Sequence, residues 1–175
     1  MKNTISSPTA TEQTFLFSAF NQKSDVTPKE FHETSKQIVK RFSKPVIRTE
    51  KDGPLFSPAK FMPARRLKKN VTELSMLVLD YDHGVTIDEV LARWRPLGVM
   101  VLLYTTHSHQ RVTTNHPKAE DRFRVVILLK EPIPADEYPR LFQWATIVSG
   151  GKCDKSCKDA SRMHYLPAIA SKGAP

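Results

Sequence analysis

The stretch Ser75-Met76-Leu77-Val78-Leu79-Asp80-Tyr81-Asp82-His83-Gly84 is a short apolar run that ends in two aspartates one residue apart. An apolar run of this length, closed by a polar turn, reads as a strand with little water on either face. Side chains alternate along a strand, so Asp80 and Asp82 share a face, with Cα atoms roughly 6.5–7 Å apart. Two carboxylates so placed repel each other unless a cation lies between them. Hard oxygen donors suit Mg²⁺ or Mn²⁺, which take one or two carboxylates and complete their shell with substrate phosphates. The plainer alternative is a strand that runs out into an acidic turn. On either reading, removing one of the two like charges is expected to be neutral or stabilising in the absence of metal.

The flanking segments give the strand its context. Thr86-Ile87-Asp88-Glu89 has the capping-box pattern, and Ile87, Val90, Leu91 and Trp94 then fall on one helical face until Pro96 and Gly98. Val99 to Tyr104 (VMVLLY) predicts a second buried strand, which makes strand, helix and strand a crossover unit. A polar loop, residues 107–121, leads to a third strand over Phe123 to Leu129. Pro132 and Pro134 are expected to introduce a helix running to about Val148, with Leu141, Phe142, Ala145 and Val148 inward and Gly150-Gly151 as its stop. Met163 to Ile169 is expected as a last strand. Upstream, Thr27-Pro28 reads as the start of a helix to Phe42, carried by Phe31, Ile38, Val39 and Phe42. Residues 44–70 are Pro-rich, basic and irregular, suited to short strands and loops. The order predicts an α+β fold, a mixed β-sheet with flanking helices.

At 175 residues, 39% hydrophobic and 26% charged, the chain is one soluble domain of ordinary size. Residues 1–12 read as a disordered arm, 13–170 as the folded domain and 171–175 as the start of a linker. No run approaches the ~20 apolar residues that span a bilayer, and the polar start lacks a signal peptide's apolar core. The expected setting is cytoplasmic, with no membrane partner. Cys153 and Cys157 form CDKSC, which without a secretory signal argues against a disulfide framework. With His164 they would make part of a zinc site; otherwise they are two free thiols.

The net charge is +9, and residues 40–69 hold ten Lys or Arg against Glu50 and Asp52, a local +8. Such a window is either a solvated basic face or a polyanion-binding surface, and its position just before the Asp80 strand favours the second. Arg65, Arg66, Lys68 and Lys69 are its densest part. The VMVLLY strand empties into Thr105-Thr106-His107-Ser108-His109, a run of small donors and imidazoles of the kind that holds ligands at strand ends. Arg122 and Arg124 share a face of the third strand, and a guanidinium fork matches phosphate oxygens. Asp154 and Arg162 bracket the turn after Gly150-Gly151, offering a further carboxylate and a further phosphate ligand.

A DxD pair at a strand end, then a helix, a strand ending YTTHSH, the RFRVVILL strand and GGKCDKSCKDASRMHYLP resembles, in that order, the archaeo-eukaryotic primase superfamily. More narrowly it resembles the primase-polymerase domains of phage and plasmid replication proteins, from about Phe61 to Pro167. The resemblance implies an RRM-like catalytic core and a template-dependent nucleotidyltransferase. It implies catalytic Mg²⁺ or Mn²⁺ on Asp80 and Asp82, with Asp154 as third carboxylate and Asp159 as competitor. The superfamily's Ser-x-His is replaced here by Arg122-Phe123-Arg124, so the nucleotide contacts fall to His107, Ser108 or His109 and to Arg122 and Arg124, with Arg162 on the triphosphate. Single-stranded DNA, held by the basic window, and nucleoside triphosphates are the implied partners, with a helicase domain or protein beside them. The chain itself has no Walker A pattern, and its ASKGAP end reads as a linker within a longer replication protein. Two rivals are weighed: a rolling-circle-type endonuclease, for which Tyr138 would be the nucleophile, and a non-catalytic single-stranded nucleic-acid binder, which would need exposed aromatics on its strands.

Overall fold

The apolar run that ends at Asp80 is the spine of the fold. In the computed structural model, which describes residues 12–114 and 117–172, the strands in chain order are β1 (Thr14–Phe20), β2 (Lys29–Thr34), β3 (Val46–Ile47), β4 (Leu55–Ser57), β5 (Ala59–Phe61), β6 (Val71–Tyr81), β7 (Val101–Thr105), β8 (Phe123–Pro134), β9 (His164–Tyr165) and β10 (Ala168–Ile169). The helices are α1 (Ser35–Phe42), α2 (Ile87–Trp94) and α3 (Tyr138–Val148). Most of the arm expected over 1–12 and of the linker expected over 171–175 lies outside the described residues. Two antiparallel four-stranded sheets have the orders β2-β1-β4-β9 and β5-β6-β8-β7, and β10 pairs with β3 in parallel. This is the α+β class with flanking helices. No helix among the described residues is long and apolar enough to cross a membrane.

Alternation along β6 places the site. Leu77, Leu79 and Tyr81 pack with Val90 and Trp94 of α2 and with Tyr138, Phe142 and Ala145 of α3. Met76 and Val78, on the other face, pack with Phe15, Phe17 and Phe56 of the first sheet and with Ile38 and Phe42 of α1. Buried on both faces, the strand has no reason to alternate in polarity, which is why it reads as a continuous apolar run. Asp80 is the next residue on the Met76–Val78 face. It stands where the dry layer between sheet one and sheet two meets its open end.

The crossover holds, with one insertion. β6 and β7 are both antiparallel to β8, hence parallel to each other, with β8 between them. The Thr86 capping box forms as expected: its side chain accepts from Glu89 N–H, and the Glu89 side chain accepts from Thr86 N–H.

Several boundaries depart from the pattern. The helix expected from Pro28 to Phe42 is a strand followed by a short helix. β2 pairs along six residues with β1, Phe31 stacks on Phe17 at 5.3 Å, and the helix starts only after a second capping box, Thr34 with Gln37. The 3.6-residue spacing of Phe31 and Ile38 bridged two elements that bury them for different reasons. β7 starts at Val101 because Val99 and Met100 are exposed. β8 runs on through Pro132 and Pro134, and α3 waits until Tyr138. A register shift between Leu74 and Met76 leaves residues 129–132 unpaired with β6, so Pro132 falls in the break, and pairing resumes with Ile133 opposite Leu74 and Pro134 opposite Glu73. The last strand splits at Leu166-Pro167 into β9 and β10, which join different sheets. β1 has no counterpart in the expectations.

Candidate active site

Asp80 and Arg124 are directly opposed across β6 and β8. Arg124 Nη2 donates to Asp80 Oδ2 at 2.9 Å, and Nη1 donates to the Tyr165 carbonyl at 3.0 Å. The turn after α3 is fastened to the same place, because Asp154 N–H donates to the Asp80 carbonyl at 2.8 Å. Asp82 follows at the strand's end, and Asp159 and Arg162 come from the segment after Asp154. All of these line one cleft of about 590 Å³. The structure thus brings together Asp80, Asp82, Asp154, Arg124 and Arg162, five of the residues singled out from sequence.

The carboxylates differ in state. Burial pushes the Asp80 pKa up; Arg124 opposes this, while Asp82 and Asp154 add to it. Arg124 occupies only Oδ2, and the buried Asp80 Oδ1 has no hydrogen-bond partner. For Asp154 burial alone would raise the pKa, but the Ser156 hydroxyl and amide, then Arg162, outweigh it and hold it below the usual range. Ser156 N–H donates to Asp154 Oδ1 at 2.8 Å and Arg162 Nη2 to Oδ2 at 3.2 Å. Asp159 is committed locally, its Oδ1 accepting from the Ser161 amide and hydroxyl, each at 2.9 Å.

These residues fit a hard divalent cation. The donor set is all carboxylate, Asp80 lines the cleft, and its buried Oδ1 is an acceptor without a partner. Asp80, Asp82 and Asp154 are the residues that would hold Mg²⁺ or Mn²⁺.

Other candidates lie elsewhere. The Arg122 side chain is fully buried, and its guanidinium donates to the carbonyls of Ser108, Arg111 and Lys118 at 2.7, 3.0 and 2.7 Å. It ties the loop after β7 together and does not line the cleft. His109 Nδ1 accepts from Arg122 N–H at 3.1 Å, and His107 Nε2 lies 2.9 Å from the Arg48 carbonyl. His107, Ser108 and His109 are all buried, and none lines the cleft. The alternation argument was sound for Arg124; at Arg122 the chain has already left β8, which starts at Phe123. Of the basic window, Arg65, Lys68 and Lys69 are exposed, and Arg66 is half-buried in the cleft wall.

Sequence reasoning missed Lys23, Asp52 and Tyr165 as cleft residues. Tyr165 Oη donates to Asp52 Oδ1 at 2.6 Å, and the Arg48 guanidinium lies over the Tyr165 ring at 6.0 Å. Lys23 lies in the turn after the unforeseen β1, so no local signal could have placed it. Lys51 sits in the basic window and also lines the cleft.

The rivals lose their key residues. Tyr138 is 1% exposed inside the α2–α3 core, where it cannot reach a phosphodiester. Among the described residues the one exposed Phe, Tyr or Trp is Trp144, which lies on α3 and not on a strand.

A comparison with curated proteins finds no match. Among solved structures, the chain is similar to the AEP domain (PP-N190) of the cyanophage S-2L primase-polymerase, at 13% identity and a TM-score of 0.47, covering 87% of this chain and 72% of that one. The model of the VapE N-terminal domain matches residues 5–175. With nearly its whole length matched, the chain belongs to the VapE N-terminal domain family.

Proposed function

We propose that this domain is a template-dependent nucleotidyltransferase of DNA primase-polymerase type, acting on nucleoside triphosphates over single-stranded DNA. The observation that carries the proposal is the convergence of Asp80, Asp82 and Asp154 with Arg124 and Arg162 in one cleft. The cleft lining holds five carboxylates (Asp52, Asp80, Asp82, Asp154, Asp159) and five cations (Lys23, Lys51, Arg66, Arg124, Arg162), so it is electrically balanced. A triphosphate is therefore not welcomed by the protein charges alone. Divalent ions on the carboxylates would tip the balance and stabilise charge on the attacking and leaving oxygens as a 3′-hydroxyl displaces pyrophosphate from the α-phosphate.

The chain's own part is positioning. Arg124 fixes one oxygen of Asp80 and leaves the other free. Ser156 and Arg162 orient Asp154, and a half-exposed Arg162 can move to phosphate oxygens without unfolding anything. Lys23, Lys51 and Arg66 ring the cleft as contacts for polynucleotide or triphosphate.

Incorporation of labelled nucleotide on a primed and on an unprimed single-stranded template, with Mg²⁺ or Mn²⁺, tests the reading. Extension that disappears in Asp82→Asn is expected. No incorporation with either ion, or undiminished incorporation in that variant, overturns it. A helicase domain or protein as partner follows only from this reading and is tested by co-purification.

A further inference from the structure

We propose that Asp80, Cys157 and His164 form a second cation site, sharing Asp80 with the cleft, that takes a thiophilic divalent ion, Zn²⁺ being the natural occupant. A carboxylate oxygen, the Cys157 Sγ and a His164 ring nitrogen lie within 4.8 Å of one another. Three independent segments deliver them. Asp80 comes from the end of β6, Cys157 from a 3₁₀ turn over Lys155–Lys158, and His164 from β9, where its ring packs on Phe56 at 5.7 Å. All three are nearly or fully buried, at 5%, 0% and 2% exposure.

The polar atoms in this pocket are unsatisfied. Asp80 Oδ1 and His164 Nδ1 are both buried and lack a hydrogen-bond partner, and a folded protein rarely leaves such atoms unsatisfied. A neutral imidazole, a thiolate and a carboxylate are a zinc ligand set, and sulfur with nitrogen selects against Mg²⁺. Tetrahedral zinc would set these atoms roughly 3.3–3.8 Å apart, so the triangle closes by side-chain adjustment alone. Cys157 gives up its proton to water as the ion binds. Three protein ligands leave a fourth position for water, the pattern of an exchangeable ion rather than a closed structural one. Cys153 is no part of the site, its Sγ lying 3.3 Å from Thr146 Oγ1.

Ion binding here stands apart from the nucleotidyltransferase reading. Its consequence rests on that reading: a soft ion on Asp80 Oδ1 occupies the acceptor that Mg²⁺ or Mn²⁺ would need, so zinc would switch the cleft off.

Co²⁺, added alone to the intact chain without nucleotide or DNA, tests the site through the thiolate charge-transfer absorption of the bound ion. One equivalent is expected to give the band in the wild type and in Cys153→Ser, and none in Cys157→Ser. His164→Gln is expected to weaken binding about tenfold or more. Because a core variant can fail to fold, Cys157→Ala is measured beside Cys157→Ser, each with a thermal melt, and Zn²⁺ is titrated into cobalt-loaded wild type, where it must abolish the band. No band in the wild type, a band that survives loss of Cys157, or one that depends on Cys153 overturns the site. Mn²⁺ binding followed by electron paramagnetic resonance then reads the competition. Zn²⁺ should release Mn²⁺ from the wild type but not from Cys157→Ser, and retention in the wild type overturns the sharing of Asp80. A chain that shows the band but incorporates no nucleotide loses the enzymatic reading and keeps the site.

Discussion

Asp80 and Arg124 face each other in register across β6 and β8, and their side chains meet at 2.9 Å in a layer almost closed to water. Breaking a buried pair on one side strands a charge and costs about 3–5 kcal/mol. Asp80→Ala and Arg124→Ala should each lower stability on that scale in urea denaturation with chelator present. Asp80→Asn, which can still accept from Arg124, should lose less. Asp82→Ala should be near neutral, since Asp82 is half-exposed. The expectation from sequence, that losing either aspartate is neutral or stabilising, thus survives only for Asp82. A fully stable Asp80→Ala would show the pair to be dispensable.

Asp154 and Asp159 both line the cleft, but their bonding separates them. Asp154 is tied to the Asp80 backbone and held ionised, whereas Asp159 closes a turn through Ser161. Asp154→Asn should cut nucleotide incorporation by roughly two orders of magnitude, the scale for losing one charge-stabilising group. Asp159→Asn, which keeps the acceptor for Ser161, should stay within a few-fold of wild type. Equal losses in the two variants would assign the third carboxylate to neither alone.

Arg65 and Arg66 are adjacent in sequence and differ in place: Arg65 is exposed, and Arg66 lines the cleft with its N–H on the Val26 carbonyl at 2.7 Å. Arg66→Glu should weaken single-stranded DNA binding more than Arg65→Glu, and the neutral Arg66→Gln should flatten the dependence of log affinity on log salt by about one unit. Fluorescence anisotropy across a salt series measures both. Identical behaviour of the two arginines would move the path of the strand out of the cleft.

What was legible in the sequence followed from local physics. The β6 run, the Thr86 capping box and the DxD spacing are each encoded within a few residues, and each holds. Asp154 was placed by motif order alone, yet the bond that holds it to Asp80 spans 74 residues and has no local signature. The same limit hid Lys23, delivered by a strand with no strong pattern of its own, and the approach of His164, a zinc candidate beside the cysteines, to Asp80 through sheet pairing with β4. Arg122 was misjudged for a different reason. Its residue type fits phosphate recognition, but three nearby carbonyls claim the guanidinium first.

That arrangement makes Arg122 a brace for the loop after β7. A guanidinium bond to a carbonyl is worth about 1.5–3 kcal/mol, and the side chain makes three such bonds. Arg122→Ala should speed amide exchange across residues 106–114 and 118–121 and lower stability by several kcal/mol. Arg122→Lys should rescue only part, since one ammonium cannot span three acceptors set for a planar fork. A well-folded Arg122→Ala with an unchanged loop, but a raised KM for nucleotide, would restore the phosphate-ligand role.

His109 gives the same loop a dependence on pH. Its buried Nδ1 accepts the Arg122 N–H, so the ring is held neutral. Burial depresses the pKa first and the Arg122 guanidinium adds to this, against the opposing pull of Asp121. In the unfolded chain the ring titrates near 6.5. Above that pH both states are neutral and the bond contributes fully. Below it the unfolded chain takes up a proton that the native ring resists, so stability falls as pH drops toward the native pKa, where the loss is complete. His109→Asn offers an acceptor in nearly the same place and does not titrate. The melting temperature of the wild type relative to His109→Asn should therefore fall as pH is lowered from about 7.5 to about 5. Every other group is common to the two proteins and cancels in the difference. A difference that stays flat across this range would mean that the ring is not held as an acceptor, and that the Arg122 N–H is satisfied in some other way.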